Sequence, residues 1–176
     1  MSKEKLSVDL SSDGIGQLIK AVKDYQKWLT SKISEFLTRL AAEGVVIASV
    51  QFRQAQYDGT NDVTVHSEER DGKRVAIVAV GSATLFIEFG TGILYPDTHP
   101  EAAENGMVRG EYGHRLGRLQ KGWRYEGSPG TNGEIITEGK HAGEIRTRGN
   151  PANMPMYNTV RELEDRFTEI AKEVFV

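Results

Sequence analysis

Four histidines, His66, His99, His114 and His141, are the side chains in this sequence best suited to proton transfer or metal binding. No two stand at the spacing that puts two imidazoles on one helix face, and none sits beside a carboxylate in a zinc pattern. His66 alternates with Val65 in a strand-like run, which points it to solvent. A metal-dependent hydrolase would have to assemble its site from His99, Glu101, His114 and His141, across a stretch rich in glycine. Solvated loop histidines produce the same pattern, and the spacing does not favour the metal site. The chain has no cysteine, which excludes disulfides, cysteine zinc sites and cysteine nucleophiles. Gly90-Thr91-Gly92 lacks the later glycine and the Lys-Ser/Thr pair of a phosphate loop, and GSPGTNGE at 127–134 reads as a turn. There is no GxSxG elbow and no HExxH. Glu68-Glu69 and the acids of the last helix read as solvated surface. The segment RGEYGHRLGRLQKGWR, 109–124, has five basic residues and one acidic, with Tyr112 and Trp123 interleaved. It suits a DNA-binding module, since basic residues grip phosphates and aromatics stack on bases. A basic arm docking on an acidic neighbour fits equally, and the net charge of −3 favours that second reading.

One acid stands apart. In LFIEFGTGILYP, 85–96, Glu88 lies among Leu85, Phe86, Ile87 and Phe89, just before the Gly-Thr-Gly exit. Period alone leaves ATLFIEF, 83–89, open between a short helix and a strand. The expectation is that its aromatics are buried beneath a sheet, with Glu88 either facing out or capping a neighbouring backbone.

The elements that would position these residues follow from periodicity. Ile15, Leu18, Val22, Leu29, Ile33, Phe36, Leu40 and Ala41 form one helical stripe, with Asp13 as N-cap. Carried through to residue 55, a single helix would be roughly 63 Å long. That length predicts a break, placed at Thr30-Ser31, where both residues favour caps. Asn61-Asp62 opens VTVHSEE, and Asp71-Gly72 closes a tight turn before RVAIVAVG, which predicts a β-hairpin. The second strand is apolar on both faces and should be central or sandwiched by helices. Residues 96–150 hold 11 of the 19 glycines and few aliphatics. They read as an arm or flap rather than core, with a hairpin between EIITE and EIRTR. Finally Val160, Leu163, Phe167, Ile170, Ala171 and Val174 form an amphipathic C-terminal helix, which prolines lead into.

The fold class is therefore α+β: N-terminal helices, a small antiparallel sheet with a hairpin, a long glycine-rich arm and a C-terminal helix. Its 176 residues suit one domain, 13–176, behind a flexible N-terminus, 1–12. Hydrophobic content of 38% and charged content of 27% fit a soluble chain. The start lacks a secretory signal, and no apolar run approaches a membrane span, so a cytoplasmically made protein is expected.

Taken together, LFIEFGTGILYPDTHP, KGWRY and TRGNPANMPMYNTVRELEDR resemble the neck and tail-completion (minor tail component) proteins of lambdoid long-tailed bacteriophages. The resemblance runs from about residue 13 to 175 and rests on the order of the three motifs. The family core motif falls on Phe86, Glu88, Phe89, Gly90 and Thr91, with Gly92 completing the junction to the arm. The Gly-Trp-x-Tyr element gives Trp123, Arg124 and Tyr125 as inter-subunit arm residues. The lead-in to the last helix falls on Gly149, Pro151, Pro155, Met156, Tyr157 and Asn158. Two positions depart: Ile145 stands where the family often has a second tryptophan, and Met156 where it often has an aromatic. The resemblance implies a virion structural protein at the head-tail neck, with no catalytic role, cofactor or metal. It implies a ring of roughly six copies by tail symmetry, or roughly twelve matching the portal. Partners would be head-completion or connector proteins on one side and the tail terminator or tail tube on the other. DNA would pass through without specific binding, no membrane would be involved, and assembly would occur in the bacterial host cytoplasm.

Overall fold

The computed structural model describes residues 11–71, 73–91, 98–107, 122–127, 129 and 133–175. Helix α1 runs Ser12–Gln54, followed by strands β1 (Thr64–Arg70) and β2 (Arg74–Val80) and the short helix α2 (Thr84–Phe89). Strands β3 (Trp123–Tyr125), β4 (Glu134–Ile135) and β5 (Ile145–Thr147) come next, and helix α3 (Pro155–Phe175) ends the chain. The architecture is α+β. A two-stranded sheet pairs β1 with β2, a three-stranded antiparallel sheet has the order β3-β5-β4, and α3 packs on α1.

Helix α1 does not break. Its 43 residues are continuous, close to 65 Å at about 1.5 Å each. Thr30 was the expected breaking point, but its Oγ1 donates to the Gln26 carbonyl at 2.9 Å, which satisfies the hydroxyl inside the helix. The N-cap is Ser11, whose side chain accepts from Gly14 N, and Asp13 lies in the first turn instead. The length is accommodated because only part of the helix packs. Helix α3 runs antiparallel to α1: Leu163 faces Gly44, Arg166 pairs with Glu43, and Phe175 meets Phe36 with ring centroids 6.0 Å apart. The tip of the β1–β2 hairpin reaches Thr30 and Ile33. Among the described residues, the first ~18 residues of α1 therefore project ~27 Å beyond the elements packed against it.

Gly44 marks where three elements cross. A Cβ there would lie 2.2 Å from Ile77 Cδ1 of β2 and 2.9 Å from Leu163 Cδ1 of α3. A helical glycine costs about 1 kcal/mol relative to alanine, and here it buys the close approach of sheet and helix. The core lies toward the C-terminal end of α1, where Phe52, Ala83 and Ile87 are buried together beneath Tyr57, Val63, Val65, Ala79 and Met156.

The hairpin forms where expected, with Arg70 opposite Arg74 and Asp71 at φ 58°, while Gly72 lies outside the described residues. Of the two placements expected for β2, the second holds. Among the described residues it pairs with β1 alone, and it lies between helices, with Ile77 against Gly44 of α1 and a cleft shared with α2 and α3. The glycine-rich stretch was expected to stand apart from the core, yet His99, Ala102, Ile145 and Thr147 are buried. Strand β5 carries this packing, since Ile145 and Thr147 share the inward face while Arg146 points out. The hairpin foreseen in this stretch is present as β4 and β5, with Ile135 opposite Ile145.

Asp62 ties the hairpin to α2. Its carboxylate accepts from Ser82 N, Ser82 Oγ and Ala83 N at 2.8, 2.8 and 3.0 Å. The Ser82 backbone bond leads the causes that hold this carboxyl down at about 2, against an ordinary 3.8. A depressed carboxylate stabilises the fold fully above its unfolded pKa, and that stabilisation is lost as pH falls through the folded value. The melting-temperature gap between wild type and Asp62→Ala should thus be constant near neutrality and close between pH ~4 and ~2. A gap that persists unchanged to pH ~2 would show that the carboxylate charge is not what anchors α2.

Candidate functional site

The end of α2, the lead-in to the last helix and the loop bearing His99 converge on one acid. Helix α2 buries Ile87, Glu88 and Phe89, while Phe86 and Leu85 are 37% and 50% exposed. The expectation that both aromatics of LFIEF are buried fails for Phe86. Successive helical residues are ~100° apart, so Ile87 enters the core cluster, Glu88 meets the start of α3 and Phe89 meets His99, while Leu85 and Phe86 stay exposed. Glu88 Oε2 accepts from Met156 N at 2.7 Å, and Oε1 accepts from Tyr157 N at 3.0 Å. These are among the first N–H groups of α3, which have no partner inside their own helix. Of the two orientations left open, Glu88 caps a neighbouring backbone. A carboxylate at this position also meets the positive end of the helix dipole.

His99 completes the arrangement. Its Nε2 lies 3.1 Å from Glu88 Oε1, and Glu101 N donates to its Nδ1 at 3.0 Å. An Nδ1 that accepts leaves the proton on Nε2, so His99 is the neutral tautomer donating to Glu88. The imidazole is wedged between Phe89 and Tyr157, with centroids 4.4 and 5.4 Å away. Side-chain exposures of 1% for His99 and 8% for Glu88 place both essentially out of water. They sit at the floor of a cleft of about 690 Å³ walled by Ala76, Val78, Leu85 and Val160.

The backbone around the pair is zipped. Asn153 N donates to Ile87 O at 2.9 Å and Met154 N to Glu88 O at 3.2 Å, so the end of α2 is closed by the lead-in to α3. Thr91 N donates to Asn150 O at 2.8 Å, and Asn150 N returns to Thr91 Oγ1 at 2.8 Å. Asn153 then bonds both Gln56 N and Gln56 O, and Asn150 Oδ1 accepts from Asp58 N. Gly90 makes this closeness available. At φ 79° its missing Cβ would sit 2.7 Å from Ala152 N and 2.8 Å from Asn150 O. Gly92, the other half of the expected junction, lies outside the described residues.

The remaining candidates fall as follows. Pro155 opens α3 as its first residue, with Met156, Tyr157 and Asn158 in the first turn, and Pro151 lies in the zipped segment. Trp123, Arg124 and Tyr125 form β3, opposite Thr147, Arg146 and Ile145. Arg124 Nε is 3.5 Å from Glu144 of this same chain. Burial, with the Asp58 carboxylate near, raises the Tyr125 phenol above its ordinary value. His66 and His141 pair with Glu68 and Glu144 at 3.1 and 2.7 Å. His114, Tyr112, Arg115 and Arg118 lie outside the described residues. Among the described residues, no group of three or more His, Asp or Glu could hold a metal ion.

Sequence reasoning weighs His99 only as a metal ligand and does not single out Asn150, Asn153 or Asp62. The one local signal is NPANMP, one asparagine before and one between two prolines that cannot supply their own N–H. Chemically the Glu88–His99 pair is a cap, with both imidazole nitrogens and both carboxylate oxygens engaged. Glu88→Ala leaves two helix N–H groups and the His99 N–H without their acceptor. The expected loss is roughly 2–5 kcal/mol of unfolding free energy, measured in urea. A loss below ~1 kcal/mol would mean that water replaces the carboxylate freely. Among the described residues, no helix is long and apolar enough to cross a membrane. Comparison with family models, with curated proteins and with solved structures gives no match for this chain.

Proposed function

We propose that this chain is a structural protein of the phage head-tail neck, acting in tail completion or head-tail joining, and that it works by assembling with copies of itself into a ring. The observation that carries the reading is the uncovered apolar surface of the projecting end of α1. Ile15, Ile19, Val22, Tyr25 and Trp28 are between 44% and 59% exposed. Apolar surface of this extent, on one continuous element, marks a face that a partner covers. The buried and half-buried polar groups fit the same reading, because Glu88, His99, Asn150 and Asn153 tie elements together. The resemblance of the Phe86–Thr91 motif, the β3 segment and the α3 lead-in to neck proteins supplies the kind of assembly. Arg124, half-exposed on β3, and the segment around it serve as the arm toward the next subunit or the connector. The ring sits in the virion between connector and tail, is built in the host cytoplasm, and needs no cofactor.

The test is capture. Purified protein is mixed with tailless heads and, separately, with headless tails of the same phage, and the particles are sedimented. Saturable co-sedimentation with one of them, restoring infectious particles when the other is added, is the expected result. Protein that stays in the supernatant with both particles would refute the neck assignment. Salt-sensitive DNA binding lost in Arg115→Ala/Arg118→Ala would instead establish the nucleic-acid reading.

A further inference from the structure

The projecting end of α1 has an unusual cross-section. At ~100° per residue, Ile15, Leu18, Ile19, Val22, Tyr25, Trp28 and Leu29 spread over about half of the helix circumference. Asp13, Lys20, Lys23, Asp24 and Lys27 occupy the other half. A two-helix seam needs only a narrow stripe, so a face this wide suits a groove between two helices. The stripe is also continuous with one already in use. Ile15, Val22 and Leu29 lie on the side of α1 that, further along, packs Phe36 against Phe167 and Phe175 of α3. They stand where α3 would be if α3 were longer.

A matching groove exists on the same molecule. The C-terminal half of α1 and the start of α3 bound a groove of about 560 Å³. Val46, Ile47 and Val50 give it an apolar strip, beside Gln51, Gln54 and Asn153 and the charged Glu43, Glu162 and Arg166. Val46 and Val50 are 60% and 43% exposed, one helical turn apart. Net charge is opposite in sign: residues 12–31 of α1 carry three lysines against two aspartates, and α3 carries five acids against three bases, while at the groove itself Glu43 and Glu162 are paired with Arg166. A helix cannot fold back on itself. Val22 and Val46 are held ~36 Å apart along one uninterrupted helix, so the α1 tip can reach this groove only on another copy.

We infer that the projecting end of α1 docks into the α1–α3 groove of a second copy of this chain. The contact is head-to-tail, because the two complementary surfaces are different patches, and repetition of one such contact closes into a ring or runs on as a filament. It supplies the subunit contact of the neck ring and rests on that reading for its biological role. The contact itself is tested without phage particles, so its failure and the failure of the neck assignment are separable.

The experiment is light scattering on the full chain at about 100 µM, where contacts of micromolar Kd are largely saturated. Val22→Glu removes the inserting face and Val46→Glu the receiving one. Both positions are exposed, and unchanged circular dichroism and thermal midpoint confirm that the variants fold. Wild type should exceed a dimer in mass, and each variant alone should run at the 19.5 kDa of one chain. Mixed in equal amounts, the variants should form a complex of two chains and no more. The Val46→Glu copy still inserts and the Val22→Glu copy still receives, so one intact contact forms and cannot propagate. A monomeric wild type overturns the inference. So does a Val46→Glu variant that associates like wild type, which would mean that projecting ends pair with each other, and so does a mixture that stays monomeric.

Discussion

The Glu88 carboxylate is the constraint on which the rest of the fold depends. It joins the end of α2 to the start of α3 by accepting from Met156 N and Tyr157 N, and it takes a third hydrogen bond from His99. A helix start buried against protein needs an acceptor for N–H groups that its own turns cannot satisfy. Placing that acceptor on another element makes the cap a tertiary contact. The start of α3, the exit of α2 and the loop bearing His99 are fixed together or not at all. The cost of burying the charge is offset because each of its oxygens is engaged by a donor.

Around that point the chain uses side chains as backbone substitutes. Asn150 and Asn153 reach across to Asp58 and Gln56, just past the end of α1. Asp62 does the same for the turn before α2. The body is thus assembled from short irregular segments held by polar contacts, with a modest apolar cluster at Phe52, Ala83 and Ile87. This knot lies at one end of α1, and the other end of the same helix reaches past the other described elements with its apolar side chains exposed. One straight rod therefore carries a well-anchored base and an apolar tip, a geometry suited to joining molecules at a defined spacing.

Much of the secondary structure is legible from the residues. Asp71-Gly72 between β-branched runs specifies the hairpin, and Asp71 adopts the positive φ that such a turn requires. Pro155 opens α3, where its missing N–H is harmless. The apolar period of residues 15–41 specifies a helix. The expected interruption at Thr30-Ser31 came from assuming that all of the helix packs on one compact body. Length is a limit only when both ends must lie against the core, and here one does not. Residues 96–150 looked like a free arm because glycine and few aliphatics predict little burial. Yet His99, Ala102 and Ile145 are buried singly, at separated positions that no periodic pattern reveals.

Period, proline and turn chemistry act over a few neighbouring residues, so the sequence by itself specified the two long helices and the hairpin, though not the continuity of α1 or the form of residues 84–89. It also marked Glu88 as anomalous, an acid enclosed by apolar side chains. Only the tertiary structure decided that residues 84–89 are a helix and that Glu88 is a cap. Both depend on partners far along the chain, the carbonyl-binding N–H groups of Asn153 and Met154 and the helix start 68 residues away. A local pattern carries no information about which distant donor will be within 3 Å, since that is set by how the elements pack and not by their own propensities.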